Sequence, residues 1–530
     1  MRRVTFILSI ACLGLLHAAP ARAQTLATDD AVLRAIWGEA TTNSQLEPLA
    51  QALLDSIGPR LTASPGMERA QEWAMRMLQS WGVDARLERY GTWEGWERGP
   101  SHVDLVQPRV RSLEGRILAW SPGTGGGPVE AGVTYLPEID SREDWESFLG
   151  TVRGKWVMMS IPQPTCRTNA QWVEFQMDGS GQRMSEARQQ TNQRWNQSLT
   201  VLRSLVGGTQ AIHSVLEDAG AAGIVTSDWP GAPGITRVFD ASNRATPTFE
   251  LSCEDYGLVY RLSQNVQEPV VRLTAEAENL GEVPVFNVIG EVRGSEFPEQ
   301  YVMLSAHYDS WEASSGATDN GAGSVVMLEV MRVLRAVYPN PKRTILIGLW
   351  SGEEQGLIGS RAFTEDHPEV IEGLQALWNQ DNGTGRVSNI SALGRVDAGG
   401  SIARWLSRVP REAAQYVALE LPGAPSAGGS DYSAFLCYGA PGFNMGTLAP
   451  TSWDYSTLTW HSNRDTYDKL VFDDLRNNVV LTASLAYLAS EDPEFTSRRQ
   501  RSVIAGRGGA PGRWPTCSRA DRSSPNSRRP

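Results

Sequence analysis

Two adjacent glutamates, Glu353 and Glu354, follow the uncharged run TILIGL near the middle of the chain. Carboxylates in contact raise each other's pKa and cost stability unless a positive charge compensates them. An apolar run that ends in such a pair therefore needs a compensating positive charge, which this stretch alone does not identify. Successive residues of an extended segment point in different directions, so the two side chains can take different roles.

Other apolar runs also end in polar residues: His307 and Asp309 follow YVMLSA, and Asp381 follows LQALWNQ. The loop segments GATDNGAG, GGSDYSAF and TWHSNRDTYD add Asp319, Asp431, His461 and Asp465. In α/β sheets, ligands bind just past the carboxyl ends of the strands, where these residues would meet. Imidazoles and carboxylates without a thiolate suit zinc, with cobalt or manganese as substitutes. Five ligands drawn from these histidines and carboxylates would exceed the usual three of one catalytic zinc. Such a number fits two ions that share a bridging carboxylate.

The segments that must position these residues alternate between strand and helix patterns from about residue 283 onward. The strand patterns are VFNVIGEV, EQYVMLSA, RTILIGLWS and LQALWNQD, and the helix patterns are GAGSVVMLEVMRVLRAVY and DDLRNNVVLTASLAYLAS. Apolar strands that alternate with helices predict an α/β fold with a mixed, mainly parallel sheet sandwiched by helices.

The earlier part of the chain predicts a domain interrupted by an insert. Residues 29–57 and 66–82 read as helices and VDARLERY as a strand. Residues 115–275 hold short β-like runs among Gly and Pro turns, one helix in GTQAIHSVLEDAG and a polar insertion at 166–206. We therefore predict a larger domain formed by 24–114 and 276–496, a β-rich insert at 115–275, and a disordered basic tail at 497–530.

Length, charge and the first residues restrict the class of protein. A chain of 530 residues predicts two or more domains, and a formal charge of −12 argues against a nucleic-acid partner. Residues 1–23 have a basic start, a short apolar core and an Ala-Arg-Ala end, which predict a signal peptide cleaved near Ala23 and a secreted or periplasmic protein. No later run predicts a transmembrane segment.

The cysteines leave two alternatives open. Cys12 lies in the predicted signal peptide, and the other four are widely spaced, without a CxxC pattern. In an oxidising compartment one pair could form a disulfide, or all could remain isolated thiols. These four are Cys166, Cys253, Cys437 and Cys517.

The motifs AHYDSW, GATDNGAG, WSGEEQGLIGS, DNGTG and WHSNRDTYD, in this order, resemble the co-catalytic zinc exopeptidases of clan MH. That group includes bacterial leucyl aminopeptidase and glutamate carboxypeptidase. HYDSWEASSGATDNGAG and the early IGPRLTASPG are most similar to its carboxypeptidase Q branch. The resemblance covers about 45–115 and 283–490, and 115–275 is similar to the protease-associated domain that such enzymes insert.

The resemblance implies two zinc ions per chain and a role for each site residue. It makes His307 and Asp381 ligands of one ion and Glu354 and His461 ligands of the other, with Asp319 bridging them. It implies that Glu353 is the general base that takes a proton from a metal-activated water. It implies that Asp309 orients His307 through its carboxylate. It also makes Asp319-Asn320 a candidate cis peptide bond.

The chain departs from the family pattern at one place. Many relatives have Ser-Asp-His where this chain has Ser430-Asp431-Tyr432. Tyr432 could donate a hydrogen bond to the oxyanion or could only line the pocket. Asp431 and Asp465 are expected to support the ligands and not to bind metal.

The resemblance implies hydrolysis of terminal peptide bonds in peptides or dipeptides, with the aminopeptidase or carboxypeptidase direction undecided. One alternative is a single-zinc aminoacyl cyclase of the same fold, which is a transferase. Another is a receptor-like binding protein without catalysis. A homodimer is also compatible with the sequence, which does not decide the oligomeric state.

Overall fold

The computed structural model describes residues 28–243, 245–426, 428–447, 455–499, 501–502 and 513–524. The predicted signal peptide lies outside these residues. Within them, the strands are β1 Asp84–Gln107, β2 Arg111–Leu113, β3 Gly115–Ile117, β4 Val129–Tyr135, β5 Trp156–Met158, β6 Gly223–Thr226, β7 Thr248–Leu251, β8 Val270–Val292, β9 Phe297–His307, β10 Arg343–Trp350, β11 Leu374–Gln380, β12 Asn389–Ser391, β13 Ala418–Glu420 and β14 Gly442–Gly446.

The helices of the same ranges are α1 Ala31–Thr42, α2 Leu46–Gln51, α3 Pro65–Ser80, α4 Arg142–Leu149, α5 Asn169–Phe175, α6 Ser180–Val206, α7 Thr209–Asp218, α8 Cys253–Gln264, α9 Ala322–Val337, α10 Ile358–Asp366, α11 Pro368–Gly373, α12 Ala398–Leu406, α13 Arg411–Ala414, α14 Tyr432–Leu436 and α15 Phe472–Glu491. Short π-helical turns cover Ala52–Ile57, Ala317–Gly321 and Tyr455–Thr459, and a 3-10 turn covers Tyr467–Lys469. Among the described residues, none of these helices has both the length and the apolar character needed to cross a bilayer.

The central sheet has the strand order β13-β12-β14-β11-β9-β10-β8. The four strands β14, β11, β9 and β10 are parallel to one another, while β12 pairs antiparallel with β14 and β8 pairs antiparallel with β10. Every residue of β10 and β11 is buried, as expected for strands covered on both faces. The predicted mixed, mainly parallel α/β sheet is confirmed.

Alternate residues of β10 enter different hydrophobic cores because successive side chains of a strand point to opposite faces. Ile345 and Ile347 pack in the core that α1, α3, α9 and α15 cover. Leu346 and Trp350 pack on the other face with residues of α10, α11 and α14. Helices on both sides therefore fix the strands whose ends carry the candidate ligands.

A long antiparallel ribbon of β1 and β8 connects the central sheet to the predicted insert. The two strands pair from Asp84 opposite Glu291 to Gln107 opposite Val270. The far end of β8 also pairs with β4, and from β4 the sheet continues in the order β5, β6, β7 and β3. The predicted boundary between residues 275 and 276 thus falls inside β8. The domain boundaries and the likeness of the insert to a protease-associated domain remain predictions.

The polar stretch at 166–206, predicted from the sequence only as an insertion, forms α5 and the 27-residue helix α6. The buried residues of α6 are Ser198 and Leu202. The helix therefore has almost no apolar stripe from which a helical period could be recognised.

Two disulfides connect the four remaining cysteines, one more than the single pair considered from the sequence. Cys166 bonds to Cys253, and Cys437 bonds to Cys517. The second bond attaches the end of α14 to residues 513–524, which lie in the tail predicted to be disordered.

The prediction of disorder is wrong for residues 513–524. The indole nitrogen of Trp514 donates to the Leu436 carbonyl at 3.0 Å. Arg522 forms ion pairs with Glu365 at 3.0 Å and Asp366 at 2.8 Å. These contacts are made by single side chains and not by a periodic apolar face, so composition and hydrophobic period do not reveal them.

Removing the Cys437–Cys517 bond is expected to lower stability. The bond joins residues 80 positions apart, and a disulfide typically contributes about 2–4 kcal/mol, with larger values for longer loops. Chemical denaturation of a Cys437→Ser/Cys517→Ser variant should therefore show a lower midpoint than that of the wild type. Equal midpoints would mean that the attached tail segment adds no stability.

Candidate metal centre

The candidate ligands lie at the carboxyl ends of three neighbouring strands. His307 is the last residue of β9, Glu353 and Glu354 follow the end of β10, and Asp381 follows the end of β11. Since β10, β9 and β11 are adjacent and parallel, these ends meet at one edge of the sheet. Two further candidates, Asp319 and His461, come from the turn before α9 and the loop after Tyr455–Thr459.

Asp319 lies between the two histidines. Its Oδ1 atom is 3.2 Å from Nε2 of His307, and its Oδ2 atom is 3.2 Å from Nε2 of His461. Each carboxylate oxygen therefore faces a different imidazole, which is the arrangement that a bridging ligand needs.

Asp381 and Glu354 extend this arrangement to two sets of donors. Oδ1 of Asp381 is 3.4 Å from Nε2 of His307, and Oε2 of Glu354 is 3.0 Å from Nε2 of His461. Donor atoms of His307, Asp319 and Glu354 also lie within 4.8 Å of one another. The five residues that the sequence selects as ligands are thus brought together.

The donor set fits a metal because buried polar atoms in it lack hydrogen-bond partners. Among the described residues, four buried donor atoms make no hydrogen bond of acceptable geometry: Nε2 of His307, Oδ2 of Asp319, Oε1 of Glu354 and Oδ1 of Asp381. Buried polar groups without partners cost free energy, and a cation among them would remove that cost. Nitrogen and carboxylate donors without sulfur suit zinc.

Both imidazole rings are held in place by contacts outside the donor set. Nδ1 of His307 lies 3.1 Å from the main-chain oxygen of Asp309, whereas the Asp309 carboxylate is 3.7 Å away, beyond hydrogen-bond range. The main chain of Asp309 makes the shorter contact, and the orientation of His307 by the Asp309 carboxylate remains a prediction. The ring of His461 stacks on Trp460, with 3.8 Å between the ring centroids.

The Asp309 carboxylate positions the pair of glutamates. It accepts hydrogen bonds from the main-chain nitrogens of Glu353 at 3.3 Å and Glu354 at 3.2 Å, and from the Thr62 hydroxyl at 3.1 Å. These hydrogen bonds fix the backbone of both glutamates just after β10.

Asp465 holds the backbone at Asp319. Its carboxylate accepts from the main-chain nitrogens of Thr318 at 2.6 Å and Asp319 at 3.1 Å. The Asn320 side chain donates to the Gln380 carbonyl at 2.9 Å and so connects this turn to the end of β11. The Asp319-Asn320 peptide bond is cis, as the family resemblance implies.

Asp431 and Tyr432 lie at the start of α14, beside the donor set. Asp431 is fully buried, and burial raises its pKa to about 7. The Tyr432 hydroxyl donates to the Gly428 carbonyl at 3.1 Å. A hydrogen bond from this hydroxyl to an oxyanion would therefore require the bond to Gly428 to break.

Residues 287–486 match the sequence profile of peptidase family M28. This part of the chain is a peptidase family M28 domain. The predicted family is thereby confirmed, whereas the profile does not extend to the 115–275 insert.

Two curated relatives and two solved structures resemble the chain beyond the M28 domain. Carboxypeptidase Q of Mus musculus is 27% identical over 333 residues, 63% of this chain and 63% of that protein. Carboxypeptidase Q of Bos taurus is 28% identical over 360 residues, 68% of each chain. The match to the mouse protein thus spans less than two thirds of its length.

The solved structures share the fold. A peptidase M28 precursor from Shewanella amazonensis superposes with a TM-score of 0.63 at 23% identity, covering 89% of this chain and 98% of that chain. A zinc aminopeptidase from Bacillus subtilis superposes with a TM-score of 0.54 at 18% identity, covering 86% of this chain and 97% of that chain.

Protonation within the M28 domain follows from burial and from the crowding of charges. Burial raises the pKa of Glu353 well above its ordinary value and that of Glu354 to about 7. Burial opposes protonation of His461, but the nearby Glu354 and Asp319 outweigh it and raise the pKa of His461 to about 9. For Asp319, burial also favours the neutral form, but the two histidines outweigh it and lower its pKa.

Three residues of this site were not assigned a role from the sequence. Thr62 contacts Asp309, Trp460 stacks on His461, and Arg60 donates to the loop after His307. Arg60 and Thr62 lie in the segment IGPRLTASPG, which has a family resemblance but no residue type that suggests a metal ligand. Trp460 has no signal beyond its place directly before a candidate ligand.

Proposed function

We propose that the chain is a zinc-dependent exopeptidase that hydrolyses terminal peptide bonds of peptides or dipeptides. The observation that carries this proposal is the position of Asp319, whose two oxygens each lie 3.2 Å from a different histidine. The names of the relatives, carboxypeptidase Q and zinc aminopeptidase, support the same reaction class.

Two zinc ions would be held by the two donor sets. His307 and Asp381 would bind one ion, His461 and Glu354 the other, and Asp319 both. When bound, such ions polarise a scissile carbonyl and lower the pKa of a water molecule toward neutrality.

Glu353 would act as the general base of the reaction. Burial raises the pKa of this carboxyl above its ordinary value, which makes the carboxylate a stronger base. Its carboxylate would take a proton from the attacking water and return it to the leaving amine. Asp309 would hold the Glu353 main chain in place during both transfers.

Substrate would enter next to His461, where aromatic rings surround the imidazole. Phe239 and Trp311 contact this ring with centroid distances of 5.0 and 5.8 Å. Phe239 belongs to the predicted insert, whose Val238 nitrogen donates to the His461 carbonyl at 2.9 Å. The insert would therefore supply part of the wall against which a peptide side chain packs. Tyr432 would line the pocket and could donate to the oxyanion after release from Gly428.

Removal of metal tests the proposed reaction. We expect a chelator to abolish hydrolysis of unblocked dipeptides and zinc to restore it, because the base alone does not activate water strongly. A panel of dipeptides blocked at the amino or the carboxyl end would then assign the direction. Hydrolysis that persists after the metal has been removed would contradict the proposal, and binding of a single zinc would favour the cyclase alternative.

We also propose that the protein works in an oxidising compartment, secreted or periplasmic. The two disulfides support this location, because disulfides persist mainly in such compartments. Mass spectrometry of the exported protein should give an amino terminus at Gln24. A full-length amino terminus in the purified cytoplasmic fraction would contradict it.

A further inference from the structure

A buried arginine, Arg60, spans the two ends of the loop between His307 and Asp319. Its side chain is fully shielded from solvent. The guanidinium donates four hydrogen bonds, all to main-chain carbonyls: Nε to Tyr308 at 2.7 Å, Nη1 to Gly58 at 3.1 Å and Ser315 at 2.8 Å, and Nη2 to Gly316 at 2.9 Å. The planar fork of donors therefore fixes the separation of the loop ends.

These carbonyls are close in sequence to the candidate ligands. Tyr308 directly follows His307, and Gly316 precedes Asp319 by three residues. The Gly316 carbonyl also accepts a hydrogen bond from the Gly321 nitrogen at 3.0 Å, which closes the turn that contains Asp319. One side chain thus holds the backbone on both sides of the proposed bridging site.

The main chain of Arg60 adds a second connection. Its nitrogen donates to the Ser310 hydroxyl at 3.1 Å, and its carbonyl accepts from the Ser310 nitrogen at 3.1 Å. Two residues further on, Thr62 donates to the Asp309 carboxylate at 3.1 Å. The segment 60–62 therefore contacts the loop along its length.

The charge of Arg60 is suited to this place. Its four acceptors are neutral carbonyls, so no carboxylate contacts the guanidinium directly within the described residues. Burial lowers its pKa, while the charges of Asp465, Asp309 and Asp319 act in the opposite direction. The arginine can thus balance part of the negative charge of the site without occupying a donor atom that a metal needs.

We propose that Arg60 is a positioning residue of the metal centre, which holds the 308–316 loop so that His307 and Asp319 reach the same ion. This inference rests on the proposed function. It assigns a role to the segment IGPRLTASPG.

The test compares Arg60→Lys with a matched control, Arg343→Lys. Arg343 is also buried and also donates to main-chain carbonyls, those of Ala489 and Ser490. It lies at the first residue of β10, at the opposite end of the strand from Glu353. Lysine keeps the charge at each position but cannot span several carbonyls with one planar group.

Zinc affinity, measured by competition with a chromogenic chelator, should fall about 10–100-fold in Arg60→Lys, the usual effect of losing a group that orients metal ligands. Arg343→Lys should bind zinc as the wild type does. The rise in melting temperature on adding zinc should shrink in Arg60→Lys, whereas Arg343→Lys should lower the apo and zinc-loaded values alike.

Wild-type zinc affinity in a folded Arg60→Lys variant would overturn the inference and leave the proposed function intact. Absence of zinc binding by the wild type would instead overturn the proposed function. If Arg60→Lys does not fold, Arg60→Gln carries the test, because its amide nitrogen is a single donor group that cannot reach all four carbonyls. Reduced zinc affinity in folded Arg60→Gln would support the inference, and an unchanged affinity would overturn it.

Discussion

Replacing Glu353 with glutamine is expected to lower kcat by about 10²–10⁴-fold, the usual contribution of a positioned base, and to leave two zinc ions bound. Glutamine keeps the size and shape of the side chain but cannot accept a proton at neutral pH. The main-chain contact to Asp309 does not depend on the side chain, so the fold and the metal site should persist. Metal analysis, the melting temperature and steady-state kinetics of the variant check this.

Glu354→Gln is the matched control, because the two residues are adjacent and their nitrogens donate to the same carboxylate. Oε2 of Glu354 lies 3.0 Å from Nε2 of His461, so its loss should weaken one zinc. Activity of Glu354→Gln should recover in part with excess zinc, and that of Glu353→Gln should not. If Glu353→Gln lost metal while Glu354→Gln kept both ions and lost only turnover, the two roles would be reversed.

Asp319→Asn is expected to remove most of the bound zinc and to reduce activity to that of the chelated protein. An amide has only one oxygen, so it cannot face both histidines as the carboxylate does. Asp381→Asn should instead weaken binding of one ion, because the proposed centre assigns Asp381 only to the ion at His307, whose Nε2 lies 3.4 Å from Oδ1 of Asp381. Plasma emission measurements of zinc per chain distinguish the variants.

Equal loss of one zinc in both variants would remove the bridging assignment of Asp319. The Asp465 carboxylate binds the main chain at Asp319, not its side chain, so the turn should remain folded in Asp319→Asn. An unchanged apo melting temperature would confirm that the loss arises at the metal and not from unfolding.

The parts of the fold that the sequence predicts are those with strong, continuous patterns. Strands β9, β10 and β11 are each centred on a short apolar run, and α9 and α15 are long helices, so their types follow from residue pattern. The candidate ligands follow the ends of these strands, and parallel pairing brings those ends together. Which of these residues binds which ion, which one bridges and which one is the base follows from the family resemblance, because residue types alone do not decide it.

Other features depend on contacts between residues far apart in sequence. The Asp309 carboxylate accepts hydrogen bonds from main-chain nitrogens 44 and 45 residues away. No periodicity in the sequence indicates that it binds these nitrogens. The attachment of residues 513–524 likewise depends on Cys517, Trp514 and Arg522 acting singly. Such contacts become visible only when the backbone has placed their partners.

The proposed two-ion centre is tested most directly by crystallography of the zinc-loaded protein with anomalous data on both sides of the zinc absorption edge. We expect two peaks, one among His307, Asp319 and Asp381 and the other among His461, Asp319 and Glu354. A single peak, or peaks away from Asp319, would contradict the proposed centre.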